Sequence, residues 1–171
     1  NEIENLNERG EKVSTNQMSN MANINKSLLE AKKSEDLIYF VEDDYLHQKH
    51  AISEMVFTYE RLASQINKDL ILCPTDYPYL YAKADVTQNF LGHNYHWRKV
   101  NETLCTFLTS KNIIEKYWDQ YIGMCKKEHA PFEKPLHGIY EKELCISPIP
   151  SLAVHFTNIN SIFGLSPNVD W

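Results

Sequence analysis

Three consecutive carboxylates, Glu42-Asp43-Asp44, stand directly behind the apolar run Leu37-Ile38-Tyr39-Phe40-Val41. Like charges about 5 Å apart repel by roughly 3 kcal/mol at an effective dielectric of about 20. Such a cluster is tolerable in two settings. One is open solvent, where acids just ahead of a helix also complement its dipole. The other is around a hard divalent cation, Mg²⁺ or Mn²⁺, which takes carboxylate oxygens and in turn holds a diphosphate. The residues by themselves leave both settings open.

Four other segments carry reactive or binding side chains. Pro74-Thr75-Asp76-Tyr77-Pro78-Tyr79-Leu80-Tyr81 sets three tyrosines around one acid. Ring faces suit sugar C–H groups, and hydroxyls with a carboxylate suit the polar edges, so Asp76, Tyr77 and Tyr81 form a candidate carbohydrate surface. A proline-shaped turn with half-buried tyrosines fits the same residues. His93-Asn94-Tyr95-His96-Trp97-Arg98 is polar, aromatic and basic together, but no adjacent acid completes a metal site with its two histidines. Glu133, read alone, is a solvated loop charge. His155, inside Leu152-Ala153-Val154-His155-Phe156, reads alone as a histidine satisfied within an apolar strand.

The bulk properties narrow the partners. At 171 residues, with 43% hydrophobic and 12% aromatic side chains, the chain suits one globular domain. A net charge of −6 argues against nucleic acid, which needs a basic face to neutralise phosphates. No apolar run approaches about 18 residues, so no transmembrane segment is predicted and peripheral contact is the most that a membrane would offer. Cys73, Cys105, Cys125 and Cys145 have neither the close spacing of zinc ligands nor the setting of a disulfide scaffold. Reduced, structural thiols in a reducing, cytoplasmic compartment are the expectation.

The elements that must position these residues follow from hydrophobic period. Residues 1–17 read as a polar linker or frayed start, and Met18–Lys33 turns helical. Leu37–Val41 and Leu70–Cys73 read as buried strands. Between them Ile52, Met55, Val56, Tyr59, Leu62, Ala63 and Ile66 make one helical stripe. Thr103–Leu108 is a third strand, and Ser110 caps a helix carrying Ile113, Ile114, Tyr117, Trp118, Ile122 and Cys125. Ala130–Pro150 reads as loop with a helical turn, and Ser151–Phe156 as a last strand. Strands alternating with helices predict an α/β domain with a mostly parallel sheet, Leu37–Val41 in its interior, and ligands beyond the carboxyl ends of the strands.

The stretch NMANINKSLLEAKKSEDLIYFVEDDYLH resembles the middle of a GT-A-fold, nucleotide-sugar-dependent glycosyltransferase, where a helix leads into a short strand ending in a DxD-type acidic motif. Here Glu42-Asp43-Asp44 takes the motif, with Glu42 in place of the usual first Asp. The segment SPIPSLAVHFTNINSIFGLSPNVDW is similar to the carboxyl end of bacterial and viral glycosyltransferase-like domains, which close with a proline-bounded strand, a histidine and a final aromatic.

The resemblance implies a set of roles. Asp44 would bind the metal directly, with His155 as a further ligand. An imidazole beside carboxylates favours Mn²⁺ over Mg²⁺. Glu42 would meet the nucleotide ribose, or the metal through water, with Asp43 on the same cofactor side. Glu133 would be the catalytic carboxylate of an inverting reaction, with Asp76 as its competitor. His96, Trp97 and Arg98 would face the acceptor, and Arg98 would help neutralise the departing diphosphate. Donor and acceptor would be a nucleoside-diphosphate sugar and a glycan or lipid-linked hydroxyl. Residues 18–171 would form the metal- and acceptor-binding part of one domain whose nucleotide-binding units stand upstream. Two other functions compete: a non-catalytic carbohydrate-binding or assembly module, and a metal-dependent phosphoester or pyrophosphate hydrolase. The sharpest geometric expectation is a carboxylate oxygen of Asp44 within about 8 Å of a His155 ring nitrogen, near enough to share one cation.

Overall fold

A computed structural model describes residues 20–81, 86–126 and 133–156. The strand ending in the acidic run is β1 (Leu37–Phe40), preceded by α1 (Asn20–Ala31) and followed by β2 (Tyr45–His47). Then come α2 (Ala51–Ile66), β3 (Leu70–Leu72), a 3₁₀ turn (Pro78–Tyr81), β4 (Asn89–Leu91), β5 (His96–Lys99) and β6 (Phe107–Ser110). The chain continues through α3 (Lys111–Lys116), α4 (Trp118–Met124), a second 3₁₀ turn (Lys134–Leu136), α5 (His137–Tyr140), β7 (Leu144–Ile149) and β8 (Ala153–His155).

Side chains on a strand alternate between faces, and the core divides accordingly. Leu70, Leu72, Leu108, Ile146 and Trp97 face α2, whose Ala51, Met55, Tyr59 and Leu62 cover them. Ile38, Ile71, Phe107 and Cys145 face the other way, against Leu28 of α1, Ile113 and Ile114 of α3, and Tyr121 of α4. The result is an α/β domain of three layers. Helix α2 stops at Asn67, which turns left-handed (φ 53°) and returns its N–H to the Ala63 carbonyl. Ser110 caps α3, its hydroxyl accepting from the Ile113 N–H at 3.2 Å. The helix expected to run on from that cap is interrupted at Tyr117 (φ −113°, ψ 24°).

The sheet corrects the expectation of a mostly parallel one. Its order is β1-β6-β3-β7-β5-β4, and only β3 and β7 are parallel. Strand β6 enters antiparallel between β1 and β3, and the β4–β5 hairpin adds two more antiparallel pairs beyond β7. For the same reason Leu37–Phe40 is an edge strand rather than an interior one. Direction nonetheless survives. Strand β1 opposes β6, β6 opposes β3, and β3 runs with β7, so the carboxyl ends of β1, β3 and β7 open on one edge of the sheet. The four cysteines are free thiols.

Strand β7 occupies a stretch read from the sequence as loop. Pro148 within it and Pro150 just beyond it explain the misreading, and the pairing explains why Pro148 is tolerated. The Ile146 carbonyl faces β3, accepting from the Cys73 N–H, while the Cys145 carbonyl faces β5, accepting from the Val100 N–H. Pro148, two residues beyond Ile146, therefore turns its nitrogen toward a side where β3 has already ended. No ladder bond is lost.

Candidate metal centre

The chain leaves β1 with the Glu42 N–H donating to the Thr106 hydroxyl at 3.2 Å, just ahead of β6. A turn at Asp43 and Asp44 then starts β2, which pairs with β8 as a separate two-stranded ribbon. The register sets Tyr45 opposite His155, and the Phe156 N–H closes the ribbon on the Asp44 carbonyl at 2.8 Å. Glu42, Asp44 and His155 consequently meet, each offering one ligand atom with all three atoms within 4.8 Å of one another. The Asp44 Oδ2 to His155 Nε2 distance is 2.9 Å, well inside the expected reach.

The ribbon is anchored to the sheet, not merely beside it. The Pro74 carbonyl, just past β3, accepts from both the Leu152 and Ala153 N–H groups, at 2.9 and 3.1 Å. The Ser151 hydroxyl accepts from the Asp76 N–H and donates to the Ala153 carbonyl. Tyr45 stacks on the His155 ring at 4.6 Å between centroids, 12° from parallel, and its hydroxyl meets that of Tyr77 at 2.8 Å. Contacts of this kind hold a ligating imidazole in one orientation.

The electrostatics fit a cation. Burial, then the neighbouring charges of Asp44, Asp43 and Glu133, push the Glu42 carboxyl up to about 7. A divalent ion in the cluster would reverse that repulsion and return Glu42 to its ionised form. Asp44 Oδ1 is buried without a hydrogen-bond partner, an unfilled acceptor on one of the three clustered residues. Two carboxylates and an imidazole suit Mn²⁺ by donor type. Asp43 is exposed and lies outside the three.

The remaining expected site residues divide by burial. Trp97 is 0% exposed and packed under α2, which removes it from the substrate face: its hydrophobic ring has gone to the core. Tyr77 is buried too, its hydroxyl spent on Tyr45. Asp76 is buried, with Arg98 on Oδ1 and the Tyr81 hydroxyl on Oδ2. The Arg98 guanidinium lies over the Tyr81 ring at 4.3 Å. His96 and Tyr81 are exposed and still open to a ligand.

Glu133 is not the solvated loop charge its surroundings in sequence imply. It is 1% exposed, accepting from the Thr103 N–H and hydroxyl at about 3 Å and from the Tyr140 hydroxyl at 3.1 Å. Burial raises its pKa, against hydrogen bonds from the Leu104 and Thr103 N–H groups. The backbone there is strained, because Leu104 (φ 49°) and Cys105 (φ 62°) are both left-handed. Each such residue costs about 1–2 kcal/mol, and the carboxylate that gathers the N–H groups of this turn offsets part of it. The turn leads to Thr106, so Glu133 supports the partner of Glu42 from below.

Sequence reasoning missed Thr103, Thr106 and Tyr45 as supports. It also missed Glu54, a buried carboxylate on α2 that accepts from the Asn94 and Tyr95 N–H groups of the β4–β5 turn. No local signal marks any of them, since each works through a partner at least 30 residues away in sequence. Comparison with protein-family models, with curated proteins and with solved structures finds no match.

Proposed function

We propose that this chain carries the metal- and acceptor-binding part of a GT-A-type glycosyltransferase that moves a sugar from a nucleoside-diphosphate sugar to a glycan or lipid-linked hydroxyl. One observation carries the reading. An acidic motif at the end of a strand and a histidine near the other end of the chain converge to within 4.8 Å, as the resemblance requires. The common edge formed by the ends of β1, β3 and β7 supports it as well.

In this reading Asp44 and His155 hold the cation, and Glu42 completes the cluster or reaches the ribose. A bound Mn²⁺ or Mg²⁺ supplies neutralisation of charge on the leaving diphosphate. Tyr45 keeps the His155 ring in plane, and Thr106 fixes the start of the acidic turn. For the acceptor proton we assign Glu133 over Asp76. Burial shifts Glu133 in the direction a base working near neutrality needs, and its charge is felt at Glu42. Asp76 is instead bound to the Arg98 guanidinium in a buried ion pair, whereas the hydrogen bonds Glu133 accepts come from neutral donors.

The test is a thermal-shift panel of UDP, GDP, CMP and their sugars, with and without Mn²⁺, on the chain together with whatever precedes it in the full protein. Stabilisation by one nucleotide only when Mn²⁺ is present is the expected result. Indifference of the full protein to every metal–nucleotide pair would overturn the reading. Release of free sugar or phosphate without an acceptor would favour the hydrolase.

A further inference from the structure

Helix α1 packs on the edge strand β1 through Leu28 and Ile38 but leaves space beside them. That space is a cavity of about 720 Å³, inside the ~300–1,000 Å³ range of small-molecule sites. Its floor is apolar, with Leu28, Ala31, Ile38, Phe40, Phe107 and Met124, and its rim carries polar side chains, Lys26 and Glu30 among them. One end is closed by Val41, half exposed, and by Glu42 of the candidate metal centre. The lip on the α1 side carries Asn23 and Ser27, both exposed.

The charges around this cavity decide what it can hold. Lys26, the cation in its wall, is ion-paired with Glu30 at 3.0 Å, and Glu30 also takes Lys33. Glu42 adds a carboxylate at the far end. A phosphate or carboxylate inside the cavity would find no unpaired cation among the described wall residues. An uncharged hydrocarbon would gain by burial against the apolar part of the lining. The polar end of such a ligand would sit at Glu42, beside Asp44 and His155.

We infer that this cavity takes the apolar aglycone, alkyl or aryl, of the acceptor, leaving its sugar or hydroxyl at Glu42. The acceptor role rests on the glycosyl-transfer reading above. The cavity itself is tested without it.

Isothermal titration with n-alkyl β-glucosides from ethyl to octyl, below their micelle concentrations and without metal, measures the hydrocarbon contribution directly. Affinity should rise about two- to fourfold per methylene, the upper figure being the equilibrium equivalent of ~0.8 kcal/mol per buried CH₂. Phenyl glucoside distinguishes an aryl from an alkyl preference, and tight binding of either kind supports the site. Ser27→Trp should plug the lip and flatten the chain-length series, with an unchanged melting curve showing that the fold is intact. Asn23→Trp, one turn earlier on the same face, is the second blocking variant. A flat series in the unmodified chain, or a series that persists in both folded variants, overturns the proposal. Mn²⁺ titrated alone reports on the metal centre separately, so loss of one reading is not mistaken for loss of the other.

Discussion

Asp44 and His155 lie 111 residues apart in the chain and 2.9 Å apart in space. The Asp44 side chain is 40% exposed and that of His155 12%. An ion pair so placed contributes at most about 1 kcal/mol to stability. Its worth lies in bringing a carboxylate and an imidazole to one point.

Asp44→Asn should therefore separate binding from folding. The amide keeps the shape of the side chain but loses the charge that holds a cation. Mn²⁺ affinity by isothermal titration should fall at least about tenfold, the scale on which even supporting partners of metal ligands act. The urea midpoint should barely move. Equal Mn²⁺ affinity in mutant and parent would remove Asp44 from the centre.

Asp76 should behave in the opposite way. Its side chain is fully buried against Arg98, itself 9% exposed. Removing one partner strands the other's charge out of water, which costs about 3–5 kcal/mol. Asp76→Ala should lower the unfolding free energy by that order in urea denaturation, and Asp76→Ala with Arg98→Met should recover much of it. An additive double mutant would show that the pair does not act as a unit.

Glu133 should make stability fall as the solution becomes more alkaline. Burial raises its folded pKa above the ordinary 4.5, so over the intervening range the native chain keeps a proton that the unfolded chain has lost. The contribution is fully present below about 4.5 and disappears as the pH rises through the folded value. Glu42 is raised for similar reasons and slopes the same way. The informative quantity is thus the difference between the parent and Glu133→Gln, followed by urea denaturation from pH 4 to pH 8. Parallel curves would show that Glu133 is ionised alike in both states.

Gly92 tests the packing of the β4–β5 turn. A Cβ built there would lie 2.3 Å from Trp97 Nε1 and 2.6 Å from the Thr58 hydroxyl. Trp97 is fully enclosed and cannot step aside. Gly92→Ala should cost roughly 1–3 kcal/mol, the usual toll of overpacking a closed core, and red-shifted or quenched tryptophan emission would report the displaced ring. Unchanged stability would mean that the turn yields.

The comparison of sequence with structure is uneven for a physical reason. Features set within a few residues were legible: the α2 stripe, the Ser110 cap, the β1 run and the acids behind it. Strand β7 was not, because Pro148 and Pro150 signal a loop and only the early end of β3 makes Pro148 harmless. Strands β4 and β5 were hidden by polar composition, since Asn89, His96 and Lys99 face solvent on the outermost hairpin. That hairpin and the inserted β6 made the sheet mixed. The meeting of Asp44 with His155 was anticipated because both residues carry distinctive chemistry. Glu133 was placed in the right neighbourhood but given the wrong surroundings: nothing near it in sequence announces Thr103 and Tyr140.

The shared direction of β1, β3 and β7 also gives the molecule two unequal ends. Strands β1, β3 and β7 begin at Leu37, Leu70 and Leu144, and β6 finishes at Ser110, all on the side away from Asp44 and His155. The connection from α2 to β3 crosses there through exposed Asn67 and Lys68. A loop lengthened or a reporter domain grafted at Lys68 would hang from the side of the sheet opposite Asp44 and His155. Surface loops absorb such additions at little entropic cost. The chain thus has a built-in handle: it can be tethered, labelled or fused from behind while the edge carrying Glu42, Asp44 and His155 stays clear.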